Sequence, residues 1–271
     1  MTTTDLLLRP PNGHLRAKHI ARSEFAKIVS LRSTAITLGL TVVACLLVTG
    51  LVTHGALHHQ PSYYRFGFDA TQDSLTGMIT VALTGGVFGA LLITSEYSSG
   101  TIRPTLSAVP KRPLLLATKL GLTAALTIVF CEVLSFASFF LGQAILSGGG
   151  APSANLATPG AARAVLMTGI YIALIALMSF GFGLVFRSTA AAIAAFVGVM
   201  FVLPLVMRGI SEASVRYLPT NVLTNSVMST VNQEPGAPFA PISPVIGLLL
   251  MILYAALVIA VGAPLFVRRD T

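Results

Sequence analysis

Glu132 lies in the middle of a long apolar run, and no other acid in the 271-residue sequence is so placed. Inside a membrane helix a carboxyl is costly, and it marks either a pathway or a packing partner. At 100° per residue, Gly121, Ile128, Glu132, Phe136, Phe139 and Gln143 fall on one helical face. That face joins a carboxyl, an amide and two aromatic rings. Glu132, Phe136, Phe139 and Gln143 are therefore candidates to line a pathway for amphipathic or cationic molecules. The alternative is a protonated Glu132 bonded to a neighbouring Ser or Thr hydroxyl and serving only packing. The residues leave both open.

A second group is SEYSSGTIRPTLSAVPKRPLLLATKL, residues 95–120. Glu96 ends an apolar run, and the hydroxyls of Ser98, Ser99 and Thr101 surround Gly100. Arg103 follows, and Lys111 and Arg112 introduce the next run; Pro104, Pro110 and Pro113 divide the stretch into short pieces. It reads as an ordered docking element or as a solvated interfacial hairpin. His54 and His58 have the i, i+4 spacing of a zinc pair, with His59 adjacent, but no convincing acid or thiol completes a site. Boundary histidines are the simpler reading, and no metal is expected. No G-x-x-x-x-G-K-[ST], G-x-S-x-G, H-E-x-x-H or C-x-x-C motif occurs. The chain is therefore not expected to be an enzyme, nor to bind ATP through a phosphate loop. Cys45 and Cys131 both sit in apolar runs and read as buried thiols.

The elements that position these residues follow from composition. The chain is 54% apolar and only 10% charged, with a mean hydropathy of +0.84. Soluble domains carry about 25% charged residues, so these apolar side chains must face lipid. Six stretches reach the about 20 apolar residues of a membrane span: 33–53, 75–94, 114–147, 164–186, 189–207 and 243–267. The third is about 51 Å long as one helix, so it starts beyond the hydrocarbon or tilts strongly. The expected fold is an all-α integral membrane protein forming one transmembrane domain. Segment 14–32 places Ala17, Ile20, Ala21, Phe25, Ile28, Val29 and Leu31 on one arc and Arg16, His19, Arg22 and Lys27 opposite. It reads as an interfacial amphipathic helix.

The net charge of +8 is a matter of sidedness. With both termini cytoplasmic, thirteen basic residues lie inside, and only Arg65, Arg163, Arg208 and Arg216 lie outside. This accounts for the basic excess, and with no recognition motif present a nucleic-acid partner is not expected. Tyr63, Tyr64, Phe66 and Phe68 suit the outer boundary. The outer segment 208–242 has room for short helices before Pro235, Pro238, Pro241 and Pro244.

The chain resembles the type-2 permease subunits of ATP-binding-cassette transporters. The likeness rests on Glu96-Tyr97-Ser98-Ser99-Gly100-Thr101-Ile102-Arg103 with Thr105-Leu106, Pro110, Lys111-Arg112 and Lys119. Weaker echoes are Ser23-Glu24-Phe25-Ala26-Lys27 with Leu31-Arg32-Ser33, and the ending Leu265-Phe266-Val267-Arg268-Arg269-Asp270. The resemblance implies half of a twelve-span channel, completed by a second copy or a related chain. It implies a separate cytosolic ATPase that binds ATP and magnesium, with no cofactor on this chain. Residues 97–110 would be the coupling helix, with Glu96, Gly100, Thr101 and Arg103 in the coupling to that ATPase. Segment 14–32 would be the connecting helix, and 208–242 would cap the exit. The implied activity is export across a bacterial cell membrane, with an amphipathic drug, antibiotic or peptide as substrate.

Two other classes stay open. An ion-gradient-driven carrier would use Glu132 as its intramembrane carboxyl. A non-transporting sensor or immunity subunit would use none of these residues for passage.

Overall fold

The computed structural model describes residues 17–30, 32–58, 68–102, 104, 112–229 and 242–268. Among them there is no strand. α1 (Ala17–Ser30) is followed by α2 (Arg32–Ala56), which is span 1. A short α3 (Ala70–Leu75) leads into α4 (Met78–Ser98), span 2; α5 (Arg112–Gly148) is span 3 and α6 (Ala161–Phe186) is span 4. Span 5 comprises α7 (Thr189–Val197), a π-helical turn (Gly198–Val202) and α8 (Leu203–Ile210). Two short helices, α9 (Glu212–Val215) and α10 (Pro219–Val227), precede α11 (Pro244–Arg268), span 6. Six helices are thus long and apolar enough to cross a membrane.

Span 4 is the axle of the bundle, the most buried of the six, packed against spans 2, 3, 5 and 6. Lipid offers no hydrophobic drive between helices, so close approach of small residues must supply the packing. Span 2 meets span 4 along Gly85, Gly89 and Ala90. A Cβ on Gly89 would lie 2.0 Å from the Ala176 carbonyl oxygen, so only glycine fits there. The Phe196 ring of span 5 is seated on Gly86, where a Cβ would come within 2.1 Å of it. Around this seam Phe139, Tyr171, Ile172, Ile175, Met178 and Phe196 form the core. The opposite faces of spans 1 and 6 expose Leu40, Leu47, Leu51, Leu249, Leu253 and Leu257 as lipid-facing surface.

One end of the bundle is held by polar clasps. Asp69 caps α3, accepting from the Thr71 and Gln72 amides at 2.9 and 3.1 Å, while its other oxygen accepts from the Ser229 amide at 2.7 Å. Arg163 donates to the Met228 and Ser229 carbonyls, both at 2.9 Å. Segment 219–229, which follows span 5, is thereby fixed to the start of span 4. Span 5 itself departs from an α-helix. Leu203 N–H bonds back to the Gly198 carbonyl, five residues earlier. Pro204 has no N–H to give the Met200 carbonyl, and the Thr220 hydroxyl of α10 donates to it instead.

The expected spans are found with small shifts at their ends. The principal difference is at span 2, whose helical approach begins at Ala70 because Asp69 caps it. The expected short helices in 208–242 are present as α9 and α10. Tyr63, Tyr64, Phe66 and the run Pro235–Pro241 lie outside the described residues.

Candidate functional site

At the other end of the bundle the start of span 3, the end of span 2 and α1 converge on Lys119. Its ammonium is 4% exposed and donates to Glu96 Oε1 of span 2 at 2.5 Å and to Glu24 Oε2 of α1. Lys27 lies 2.8 Å from Glu24 Oε1 and 3.5 Å from Glu96 Oε1, so two acids and two bases form one network. A lone buried ion would be costly, and the network is stable only because each acid meets a base. Burial pushes the Glu24 carboxyl up, but Lys119 and Lys27 more than offset this and hold it below its ordinary 4.5. Burial likewise pulls Lys27 down, yet Glu24 and Glu96 leave it above 10.5.

These shifts set a pH window. A carboxyl lowered in the folded state contributes stability above its unfolded value and loses it as pH falls through the folded value. The raised Lys27 contributes below 10.5 and loses its contribution as pH rises through its folded value. The unfolding midpoint of the purified protein should therefore be level around neutral pH and fall on both sides. Glu24→Gln should blunt the acid limb in a thermal scan across pH.

Apolar packing surrounds the network. Ile20 of α1, Ile93 of span 2 and Ile102 beyond it form a cluster with Leu115 and Leu116 of span 3, Phe180 and Leu184 of span 4 and Phe266 of span 6. The chain leaves span 2 through Gly100, whose φ of +70° is the left-handed region that favours glycine. This turn swings Ile102 back into the cluster while Thr101 and Pro104 stay exposed. Arg112 and Arg187 donate to the Val267 and Leu265 carbonyls at 3.1 and 2.9 Å, fastening the end of span 6 to the same body.

Glu96 therefore meets Lys27 of α1, and Gly100 and Thr101 follow it where the chain leaves span 2. Arg103 and residues 105–111 lie outside the described residues. The candidate pathway face behaves differently. Phe139 is 1% exposed in the core, and the Gln143 amide bonds to the Ala70 carbonyl and Ser74 hydroxyl, both at 2.9 Å. The Gln143 oxygen accepts from the Ala154 amide at 2.6 Å. Phe136 is half-buried beside the core and stacks with Phe140. Glu132 packs against Gly169 of span 4, where a Cβ would lie 2.6 Å from its carboxyl carbon; both its oxygens are enclosed, and no described side chain hydrogen-bonds to them. None of these four borders either of the two cavities described below.

Sequence reasoning did not find the Glu24–Lys119–Glu96 network. The signal was present: Lys119 lies inside the third apolar run and needs counter-ions, and Glu24 is the one acid of segment 14–32. The buried line of α1 runs through Ile20 and Glu24, whereas Phe25 of the expected apolar arc is 46% exposed. The carboxylate turns inward because Lys119 is there to receive it. His54 and His58 meet edge to ring at 5.3 Å, and no metal-binding cluster occurs among the described residues.

One cavity adjoins the network, and a second lies next to the first, sharing Ile28, Thr34, Thr37 and Phe88 with it. The first, of about 720 Å³, is bordered by Glu24, Lys27, Ser95, Glu96 and Lys119; the other, of about 430 Å³, runs between spans 1, 2 and 3 and is almost wholly apolar.

The six apolar helices and the charged network at one end of them define a multi-pass membrane protein. The chain belongs to the family described as "Protein of unknown function (DUF2705)", whose model matches residues 60–271. No curated protein matches it.

Proposed function

We propose that this chain is the membrane-spanning permease subunit of an ATP-driven exporter. Two copies form the translocation pathway, and a separate cytosolic ATPase supplies ATP and magnesium chemistry. Both termini and the Lys119 network then face the cytoplasm of a bacterial cell, in keeping with the thirteen-to-four bias of basic residues. The observation that carries the reading is the bonding of α1, the end of span 2 and the start of span 3 through Glu24, Lys119 and Glu96. An ATPase pushing on the segment after Gly100 needs a stiff body to push against, and this network with its apolar surround supplies one. Glu96 anchors that body, Gly100 sets the turn, and Thr101 and Arg103 meet the ATPase. The substrate is an amphipathic drug, antibiotic or peptide.

The test is co-purification with the ATPase encoded beside it, followed by hydrolysis and transport assays in vesicles. Replacing Gly100, Thr101 and Arg103 together should abolish transport and reduce substrate-stimulated hydrolysis to the basal rate while the permease stays folded. Normal stimulation in that complex would overturn the reading. A carrier driven by an ion gradient is the second reading, supported by the enclosed carboxyl of Glu132, to which no described side chain hydrogen-bonds. Transport that survives without any ATPase and is lost in Glu132→Gln would favour it. Failure to co-purify with an ATPase and to transport would leave a sensor or immunity subunit.

A further inference from the structure

The apolar cavity of about 430 Å³ marks where span 1 parts from spans 2 and 3. Its walls run from Thr34 to Thr41 on span 1, from Val81 to Phe88 on span 2 and from Leu126 to Val133 on span 3. Seven helical steps are about 10.5 Å, which fits within the about 15 Å hydrocarbon depth of one leaflet. Beyond Thr41 the three spans close up. Cys45 Sγ meets Met78 Sδ at 3.8 Å, and the Thr49 and Ser138 hydroxyls are hydrogen-bonded at 2.6 Å. The cavity is therefore a groove with a closed end. Val129 and Val133, 64% and 66% exposed, stand at its edge on a helix long and apolar enough to cross a membrane.

The walls include threonines, yet they offer a ligand almost nothing polar. Thr41, Thr84 and Thr127 donate their hydroxyls to the Thr37, Thr80 and Thr123 carbonyls of their own helices, at 2.8, 3.0 and 2.8 Å. Water has no partners in such a space, and walls left bare forfeit their dispersion contacts. The medium at the open edge is lipid hydrocarbon. A spanning helix of a second copy would need a seat about 30 Å long, and the closed end forbids it. We infer that the groove holds one acyl chain of a phospholipid from the leaflet on the Lys119 side. It reads the hydrocarbon and not the headgroup. The site does not depend on the exporter reading and asks nothing of an ATPase.

The sequence contains no tryptophan, so one introduced at Phe130, on the groove wall, is a unique fluorophore. Phe130→Trp is compared with Leu253→Trp, a position 49% exposed on the lipid-facing surface of span 6. Each full-length variant is purified in unbrominated detergent, and a few equivalents of phosphatidylcholine with brominated acyl chains are added. Bromine quenches tryptophan on contact. Quenching in Phe130→Trp should be several-fold stronger than in Leu253→Trp, because the groove keeps its chain while the open surface exchanges with detergent. Phosphatidylglycerol with the same chains should quench equally. Adding Thr37→Phe to Phe130→Trp narrows the groove and should bring quenching down to the level of Leu253→Trp. Leu126→Trp, on the same wall, repeats the measurement where Phe130→Trp does not fold. Equal quenching at the groove and at span 6, or quenching by one headgroup only, would overturn the inference. So would quenching by a brominated free fatty acid but not by the phospholipids, or a dimer that Thr37→Phe breaks with no excess quenching.

Discussion

Lys119→Met should destabilise the purified protein by about 3–5 kcal/mol, the cost of breaking a buried ion network from one side. Glu24 and Glu96 have side chains only 8% and 11% exposed, and Lys119 is the base that both share at closest range. Without it two carboxylates crowd together, and among the described residues half-exposed Lys27 is the base left to answer them. The measurement is a thermal unfolding midpoint in detergent, with monodispersity on a sizing column as a second read. Adding Glu96→Gln to Lys119→Met should recover most of the loss, because the 2.8 Å Lys27–Glu24 pair then stands balanced. A double variant no better than the single one would instead assign the loss to packing of the lysine stem. In the exporter reading the same substitution also frees α1 from span 3, so transport should fall even in molecules that remain folded.

Gln143→Leu should cost about 3 kcal/mol, because one substitution removes two buried hydrogen bonds and a third that is partly buried. The Ala154 amide loses its acceptor, and α3 loses the amide that ties Ala70 and Ser74 to span 3. Leucine has similar bulk, so the loss reports polar satisfaction rather than a cavity. The unfolding midpoint should drop while transport per folded molecule holds. Lost transport at unchanged stability would return Gln143 to the pathway. The distinction matters because an amide beside two aromatic rings on one face looks the same in sequence whether it greets a substrate or clasps a loop.

The fold was legible because its dominant signal is chemical. Apolar runs long enough to cross lipid stand out against 10% charged residues, and spans 1, 3, 4 and 6 begin and end within a few residues of expectation. Helical phase also placed Glu132, Phe136, Phe139 and Gln143 on one side of span 3. Phase alone does not say what that side meets: for Phe139 it is the core, and for Gln143 it is α3. The Lys119 network was hidden for a related reason. Glu24, Glu96 and Lys119 are far apart in sequence, and charge counts by side add them up without pairing them. Only the packing of α1 onto span 3 brings the partners together.

The π-helical turn at Gly198–Val202 gives span 5 one more residue than a regular helix of the same course would need. A related chain could lack a residue there and still present the same faces before and after it. Comparison of family members should therefore tolerate a one-residue gap at this point. Residue-by-residue pairing carried through without that gap would set Pro204 and the residues beyond it against the wrong neighbours. For this helix, length and orientation have been uncoupled.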